Sequence, residues 1–365
     1  MANLESQLLD GMTRAFPKWD PSTRPSHSSG ISVMGTFRGT PEASEFCFAP
    51  MFGTDWTPVV VRFSNSKGQT EPDQVPDVRG MAVKFLLGTD AKPDHADLIC
   101  ISTPMFVVDT PEDLLDFEDA SIPRPVKRRG WWKTLSSMLQ LIEYPPQDLT
   151  QPSTDDAIMG WSKRYTKAQP FLQTVSGLAW TWNQDVSTLV PARPPASYAR
   201  ITYSAVHAFV VEGPGTVPGA PPVRRTVRFT FEPAAGVREN HGTTIADDYL
   251  HTELADRLER APFRFNLRMQ VSDPWDDATD PTKIWPSNRK RILMGTLELK
   301  HLVEDQQGPL GEQIGYNPAH TPPSMTPVHD EVFKARVGVY EESQRRRGAV
   351  TCPFSSPSSQ SSDDS

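Results

Sequence analysis

Residues Phe263–Val271 alternate without a break: Phe263, Phe265, Leu267, Met269 and Val271 are apolar, and Arg264, Asn266, Arg268 and Gln270 are polar. A period of two gives one apolar face only when the backbone is extended, so the segment predicts a strand with one side in a core and one toward water. Strand-like runs also occur at 35–37, 58–64, 78–87, 200–211, 226–231 and 291–303. Helical spacing is confined to a short amphipathic opening (Leu4, Leu8, Leu9, Met12), to 111–119, 131–144 and 330–347, and to 247–260, where Tyr249, Leu250, Leu254 and Leu258 form a stripe. The chain's 36 prolines and 22 glycines disfavour a helical bundle. Many strands without regularly interleaved helices predict an α+β fold, an antiparallel sheet curled into a barrel with helices packed outside it, rather than a doubly wound parallel sheet.

A length of 365 residues buries a sizeable core without disulfide or metal staples. The proline-rich stretches at 191–195 and 214–222 read as loops, no repeat is visible, and the expected organisation is one folded domain over 21–350. A segment of residues 1–20 precedes it. Residues 351–365 follow as a tail, of which 355–365 contain only Ser, Pro, Gln and Asp and are expected to be disordered.

A net charge of −8 argues against a nucleic-acid or anionic-membrane binder. No run approaches eighteen apolar residues, and the opening lacks a basic, long hydrophobic leader, so a cytoplasmic protein is expected. Cys47, Cys100 and Cys352 are scattered without metal-like spacing and predict no role for thiols. Phosphate-loop, dinucleotide, His-Glu-x-x-His and Gly-x-Ser-x-Gly signatures are all missing.

Five segments carry the functional signal. They are Arg24-Pro25-Ser26-His27 followed by Gly30, Gly35 and Phe37; Val61-Arg62-Phe63-Ser64 with Gly68; Asp77-Val78-Arg79-Gly80-Met81-Ala82-Val83-Lys84-Phe85; Asp280-Pro281-Thr282-Lys283-Ile284-Trp285-Pro286; and Asp330, Arg336 and Tyr340 at spacings of six and four. Together they resemble the haem catalase family, including its shortened catalase-related peroxidase branch, over about residues 20–347. Ser32 stands where the family has a glycine and Met81 where it has phenylalanine. The resemblance does not extend to the family's long amino-terminal arm or to its carboxy-terminal extensions.

The resemblance implies a catalase-like barrel and haem b, with Tyr340 as axial ligand of the iron. Tyrosinate suits ferric iron, but an unperturbed phenol has a pKa near 10 and needs a cation beside it to ionise. On a helix, Arg336 lies four residues before Tyr340 on the same face. Asp330 and His207 are implied as partners of that arginine. Arg24, Arg62 and Arg347 match the positions that bind the haem propionates, although Arg345 and Arg346 compete with Arg347; guanidinium pairs with carboxylate bidentately. His27 is the implied proton shuttle for peroxide cleavage, with Ser64 orienting its ring and Phe106 as the distal aromatic.

The line Leu98-Ile99-Cys100-Ile101-Ser102-Thr103-Pro104-Met105-Phe106 departs from the family, placing Ile101 where it has a catalytic asparagine and Ser102 at the neighbouring one. Isoleucine cannot hydrogen-bond a second peroxide, so dismutation should be weak while peroxide cleavage survives. The expected function is therefore a peroxidase that reduces hydrogen peroxide or organic hydroperoxides through an oxyferryl intermediate and a small external reductant. Rearrangement of a fatty-acid hydroperoxide, as in allene oxide synthases of catalase fold, and a non-enzymatic haem-binding protein are the alternatives. Arg124, Lys127, Arg128, Arg129 and Lys133 around Trp131 and Trp132, ahead of an apolar helical stretch, suggest contact with a lipid interface or a fatty anion. Stable membrane insertion and nucleic-acid binding are not expected, and either a homo-oligomer or a monomer fits.

Overall fold

The computed structural model describes residues 4–15, 22–66, 72–74, 77–88, 94–106, 108–112, 114, 194–215, 217, 219–240 and 246–350. Eight strands close on themselves in the order β1 (Ser29–Gly39), β2 (Trp56–Asn65), β3 (Arg79–Leu86), β4 (His95–Ile101), β5 (Tyr203–Ser204), β7 (Val223–Pro233), β8 (Phe263–Val271) and β9 (Arg291–Leu302), and β9 returns to β1. Every pairing is antiparallel. Closure removes the free strand edges that would otherwise invite association. Two further strands, β6 (Phe209–Gly213) and β10 (Met325–Pro327), extend outward from β7. The barrel with outside helices is the α+β fold read from the sequence.

The alternation in Phe263–Val271 places Phe265, Leu267 and Met269 inside the barrel, all at 0% exposure. They join Val33, Phe37, Val61, Phe63, Val83, Phe85, Leu98 and Phe229 in one core. The rings interlock: Phe63 stacks on Tyr198 at 5.5 Å between centroids, and Phe37 meets Phe85 edge-on at 5.3 Å. Each of these phenylalanines is worth about 3–5 kcal/mol against truncation to alanine.

Residues 200–211 were expected as one strand and form two. β5 ends at Ser204 and β6 begins at Phe209, because the chain leaves the barrel between them and turns His207 toward the carboxylate of Asp330. β4 was not foreseen as a strand, since its outward positions His95, Asp97, Ile99 and Ile101 mix polar and apolar types and blur the alternation.

Outside the barrel lie α1 (Leu4–Ala15), α2 (Tyr249–Arg260) and α3 (Glu331–Arg347). Leu8 and Leu9 of α1 pack with Val332, Ala335 and Val339 of α3 in a separate apolar cluster. Asp330 caps α3, its Oδ1 accepting from the Phe333 amide at 2.7 Å. Among the described residues no helix is long and apolar enough to cross a membrane. Of the 111–119 helix only residues 111, 112 and 114 are described, as helical, and the 131–144 helix, the basic tryptophan segment and the 355–365 tail lie outside the described residues.

Candidate active site

The register of the first four strands builds one wall. Gly30, Ser64, Gly80 and Ile101 stand opposite one another across β1 to β4, and Ser32, Arg62, Ala82 and Ile99 form the next row. Because side chains alternate across a sheet, both rows point outward while Phe63 and Met81 point into the barrel.

His27 covers the first row. Its Nδ1 is 2.9 Å from Ser64 Oγ, and a Cβ on Gly80 would lie 2.8 Å from Nδ1 and 2.7 Å from Oγ. Only glycine at position 80 lets the imidazole approach the sheet. Gly30 does the same for Arg62, since a Cβ there would come within 2.4 Å of the guanidinium carbon. Arg62 in turn donates to the main-chain oxygens of His27 at 2.9 Å and Ser28 at 3.3 Å. Burial first, then Arg62, Arg336, Arg24 and Arg79, depress the imidazole to a pKa of about 3, which keeps it neutral at physiological pH.

A second relay runs along the start of α3. Asp330 Oδ2 lies 2.7 Å from His207 Nδ1, Arg336 Nη1 donates to His207 Nε2 at 2.6 Å, and Arg336 Nη2 donates to the Tyr340 hydroxyl at 3.5 Å. Arginine only donates, so Nε2 must accept, and the His207 proton sits on Nδ1 facing Asp330. Burial pushes His207 down to about 4 against the opposing pull of Asp330. The Arg336 charge is among those that lower the His27 imidazole.

The third group is a basic cradle. Glu312 Oε1 takes Arg24 at 2.5 Å and Oε2 takes Arg62 at 2.8 Å. The main-chain oxygens of Glu312 and Ile314 accept from both Arg24 and Arg347. Arg345 and Arg346 instead reach the surface carboxylate of Glu342, so among the three consecutive arginines Arg347 is the one in the cradle. Three guanidiniums against one carboxylate leave an excess of two positive charges, and the buried Nε of Arg347 has no hydrogen-bond partner among the described residues. Burial and its arginine neighbours lower Arg24 to about 9, and burial lowers Arg347 to about 10. Burial raises the Glu312 pKa, but Arg62 and Arg24 outweigh it and hold the carboxyl below its ordinary range.

The Phe106 ring lies 5.2 Å from the Arg336 guanidinium and 6.3 Å from the His207 ring. The Phe106 amide donates to Pro281 O at 2.9 Å, tying this turn to the Asp280–Pro286 segment. Ile101, 9% exposed, adjoins Gly80 in the row beneath His27. Ser102 Oγ accepts from the Arg79 amide at 2.9 Å, and Thr103 Oγ1 donates to Met105 O at 2.9 Å, so both neighbouring hydroxyls are engaged in the turn.

Glu312 was not singled out from the sequence. The signal that could have found it is electrostatic: three arginines assigned to one site require a counter-ion, and the acidic residues of 303–315 were the candidates.

The family model for catalase matches residues 5–140 and 221–353. A catalase-related peroxidase of Mycolicibacterium paratuberculosis is 29% identical over 338 residues, covering 90% of this chain and 90% of its own length. A second, from Synechococcus elongatus, is 25% identical and covers 89% of this chain and 83% of its own. Among solved structures, a fungal catalase superposes with a TM-score of 0.66 at 19% identity, and catalase A of Saccharomyces cerevisiae with 0.65 at 20%. The chain spans 65% of the length of each of these two solved catalases, and they cover 96% and 93% of it.

Proposed function

The chain belongs to the catalase family, and from that premise we propose that it is a haem-dependent peroxidase that reduces hydrogen peroxide or organic hydroperoxides in the cytoplasm at the expense of a small reductant. The cofactor is haem b, a dianion through its two propionates. The cradle's excess of two positive charges and the unpaired Arg347 Nε fit those carboxylates. Tyr340, with Arg336 donating to its oxygen, fits as the iron ligand. When bound, haem supplies the electrons that cleave the O–O bond and accepts those of the reductant.

The chain's own residues handle protons and orientation. His27, neutral and held by Ser64, takes the proton from one peroxide oxygen at Nε2 and returns it to the other as water leaves. Ser64 and Gly80 fix the ring plane; Arg62 fixes the backbone that carries it. Around the start of α3, Asp330 holds His207, His207 holds Arg336, and Arg336 favours negative charge on Tyr340. Ile101 offers hydrocarbon in the row beneath His27, which favours cleavage of one peroxide over oxidation of a second.

The observations that carry this reading are the His27–Ser64 pair and the Asp330–His207–Arg336–Tyr340 relay. A mere carrier has no use for a proton shuttle, and the two most similar relatives described above are named peroxidases, which favours peroxide reduction over hydroperoxide rearrangement. The test is to compare peroxide-dependent oxidation of an organic donor with oxygen evolution in the haem-loaded protein. Donor oxidation should dominate; oxygen evolution without donor oxidation would overturn the peroxidase reading.

A further inference from the structure

His95 and Asp97 stand two residues apart on the outward face of β4, beyond the rows that form the active-site wall. The chain returns over them at residues 317–320, where the Asp97 amide donates to the main-chain oxygen of His320 at 2.7 Å. This brings the His320 ring onto the same face. His95 Nε2 lies 2.8 Å from His320 Nδ1, His320 Nδ1 lies 3.8 Å from Asp97 Oδ2, and the three ligand atoms are all within 4.8 Å of one another. Two nitrogens this close share one proton, so at least one presents a lone pair to the other.

We propose that His95, His320 and Asp97 form a binding site for a divalent transition ion of the Zn(II) type. A tetrahedral zinc places its ligand atoms about 3–3.5 Å apart, which follows from bonds of about 2.0–2.1 Å. The observed separations bracket that spacing, and a small rotation of each ring replaces the shared proton with the ion. Partial exposure of His320, 39% for its side chain, leaves room for a water as fourth ligand.

The charge balance selects the metal class. Lys84 Nζ is 2.7 Å from Asp97 Oδ1 and 3.0 Å from Oδ2, and both side chains are fully buried. The ammonium can stay on Oδ1 while Oδ2 turns to the ion, with the Asn317 amide, 2.9 Å away, holding the carboxylate in place. Because Lys84 cancels the carboxylate, the site has no net negative charge to attract Mg(II) or Ca(II). Its affinity rests on two imidazoles, which suit zinc, nickel and copper. An ion here would pin the 317–320 turn to β4 and thereby steady the preceding segment that carries Glu312 and Tyr316.

The experiment titrates Zn(II) into the untagged, chelator-treated full chain with its haem, followed by calorimetry and thermal unfolding. One zinc per chain and a raised melting temperature are expected, with no saturable heat from Mg(II). His95→Gln and His320→Ala should each weaken zinc binding at least tenfold and abolish the thermal shift, while the Soret band stays unchanged. His301→Ala, at an exposed histidine of β9, should bind as wild type. Absence of saturable zinc binding in wild type would overturn the site. So would equal zinc affinity in the His95 and His320 variants, which would assign the binding to other surface groups.

Discussion

Arg62 donates to the main-chain oxygen of His27 at 2.9 Å, and His27 is the one non-glycine residue with positive φ, 58°, among those described. A left-handed backbone at such a residue costs on the order of 1–3 kcal/mol and persists only where its surroundings enforce it. The guanidinium that enforces it is the same one that binds Glu312 at 2.8 Å. The basic cradle and the proton-transferring histidine are therefore joined through one side chain.

Replacing Glu312 with glutamine keeps its shape and removes its charge, leaving Arg24 and Arg62 without their shared carboxylate and the Arg347 charge beside them unbalanced. Unpaired buried charge costs several kcal/mol in the haem-free protein, and added propionates relieve part of it. The Glu312→Gln apoprotein should melt lower than wild type, and haem should restore more of its stability than it restores to wild type. Thermal unfolding with and without haem checks this; equal haem-dependent shifts in both proteins would remove Glu312 from the cradle's charge balance.

Ile101→Asn should raise oxygen evolution from hydrogen peroxide by about tenfold to a hundredfold, the worth of one hydrogen bond of about 1–3 kcal/mol made in the transition state. The first reaction with peroxide should change much less. Thr103 Oγ1 donates its proton within the turn, and Ser102 Oγ accepts from the Arg79 amide. An oxygen electrode and stopped-flow absorbance give both quantities, and efficient oxygen evolution by wild type with no gain in the variant would contradict the peroxidase assignment.

The pH dependence of the site follows from His27 and His207, both held below the ordinary histidine value. With a folded pKa of about 3, His27 stays neutral, so the rate of reaction with peroxide should be flat from about pH 8 down to about pH 4 rather than fall near the ordinary histidine value of about 6.5. His207, at about 4 when folded, refuses a proton that the unfolded chain accepts below about 6.5. The unfolded state then binds more protons, so this histidine's contribution lowers stability as pH falls from about 6.5 to about 4. Denaturant melts across that range should show the decline in wild type and a shallower one in His207→Asn.

Tyr340→Phe removes the phenolic oxygen but keeps the ring against Arg336. Haem content should drop, or the ferric spectrum should change its ligand signature, with the fold retained by circular dichroism. An unchanged ferric spectrum at full haem content would sink the ligand assignment.

Much of this site was legible because its chemistry is local in sequence. Arg336 and Tyr340 share a helix face by spacing alone, and Arg62 and Ser64 share a sheet face by alternation. What could not be read depends on distant contacts. Glu312 reaches Arg62 across 250 positions. The break at 205–208 was equally hidden, since the apolar residues there read as a continuing strand while His207 was being drawn to Asp330, 123 positions away. Of the fold, the alternating strands were plain, and β4 escaped because its outward face carries active-site and ionic residues instead of a uniform polar set.

The central claim, that His27 transfers the proton when peroxide is cleaved, is tested most directly by stopped-flow mixing of the haem-loaded protein with hydrogen peroxide, comparing wild type with His27→Gln and following the Soret band. The variant should keep its haem and its ferric spectrum yet react about a hundredfold to ten-thousandfold more slowly, the usual contribution of a positioned acid–base group. Reaction of His27→Gln at the wild-type rate would contradict the account.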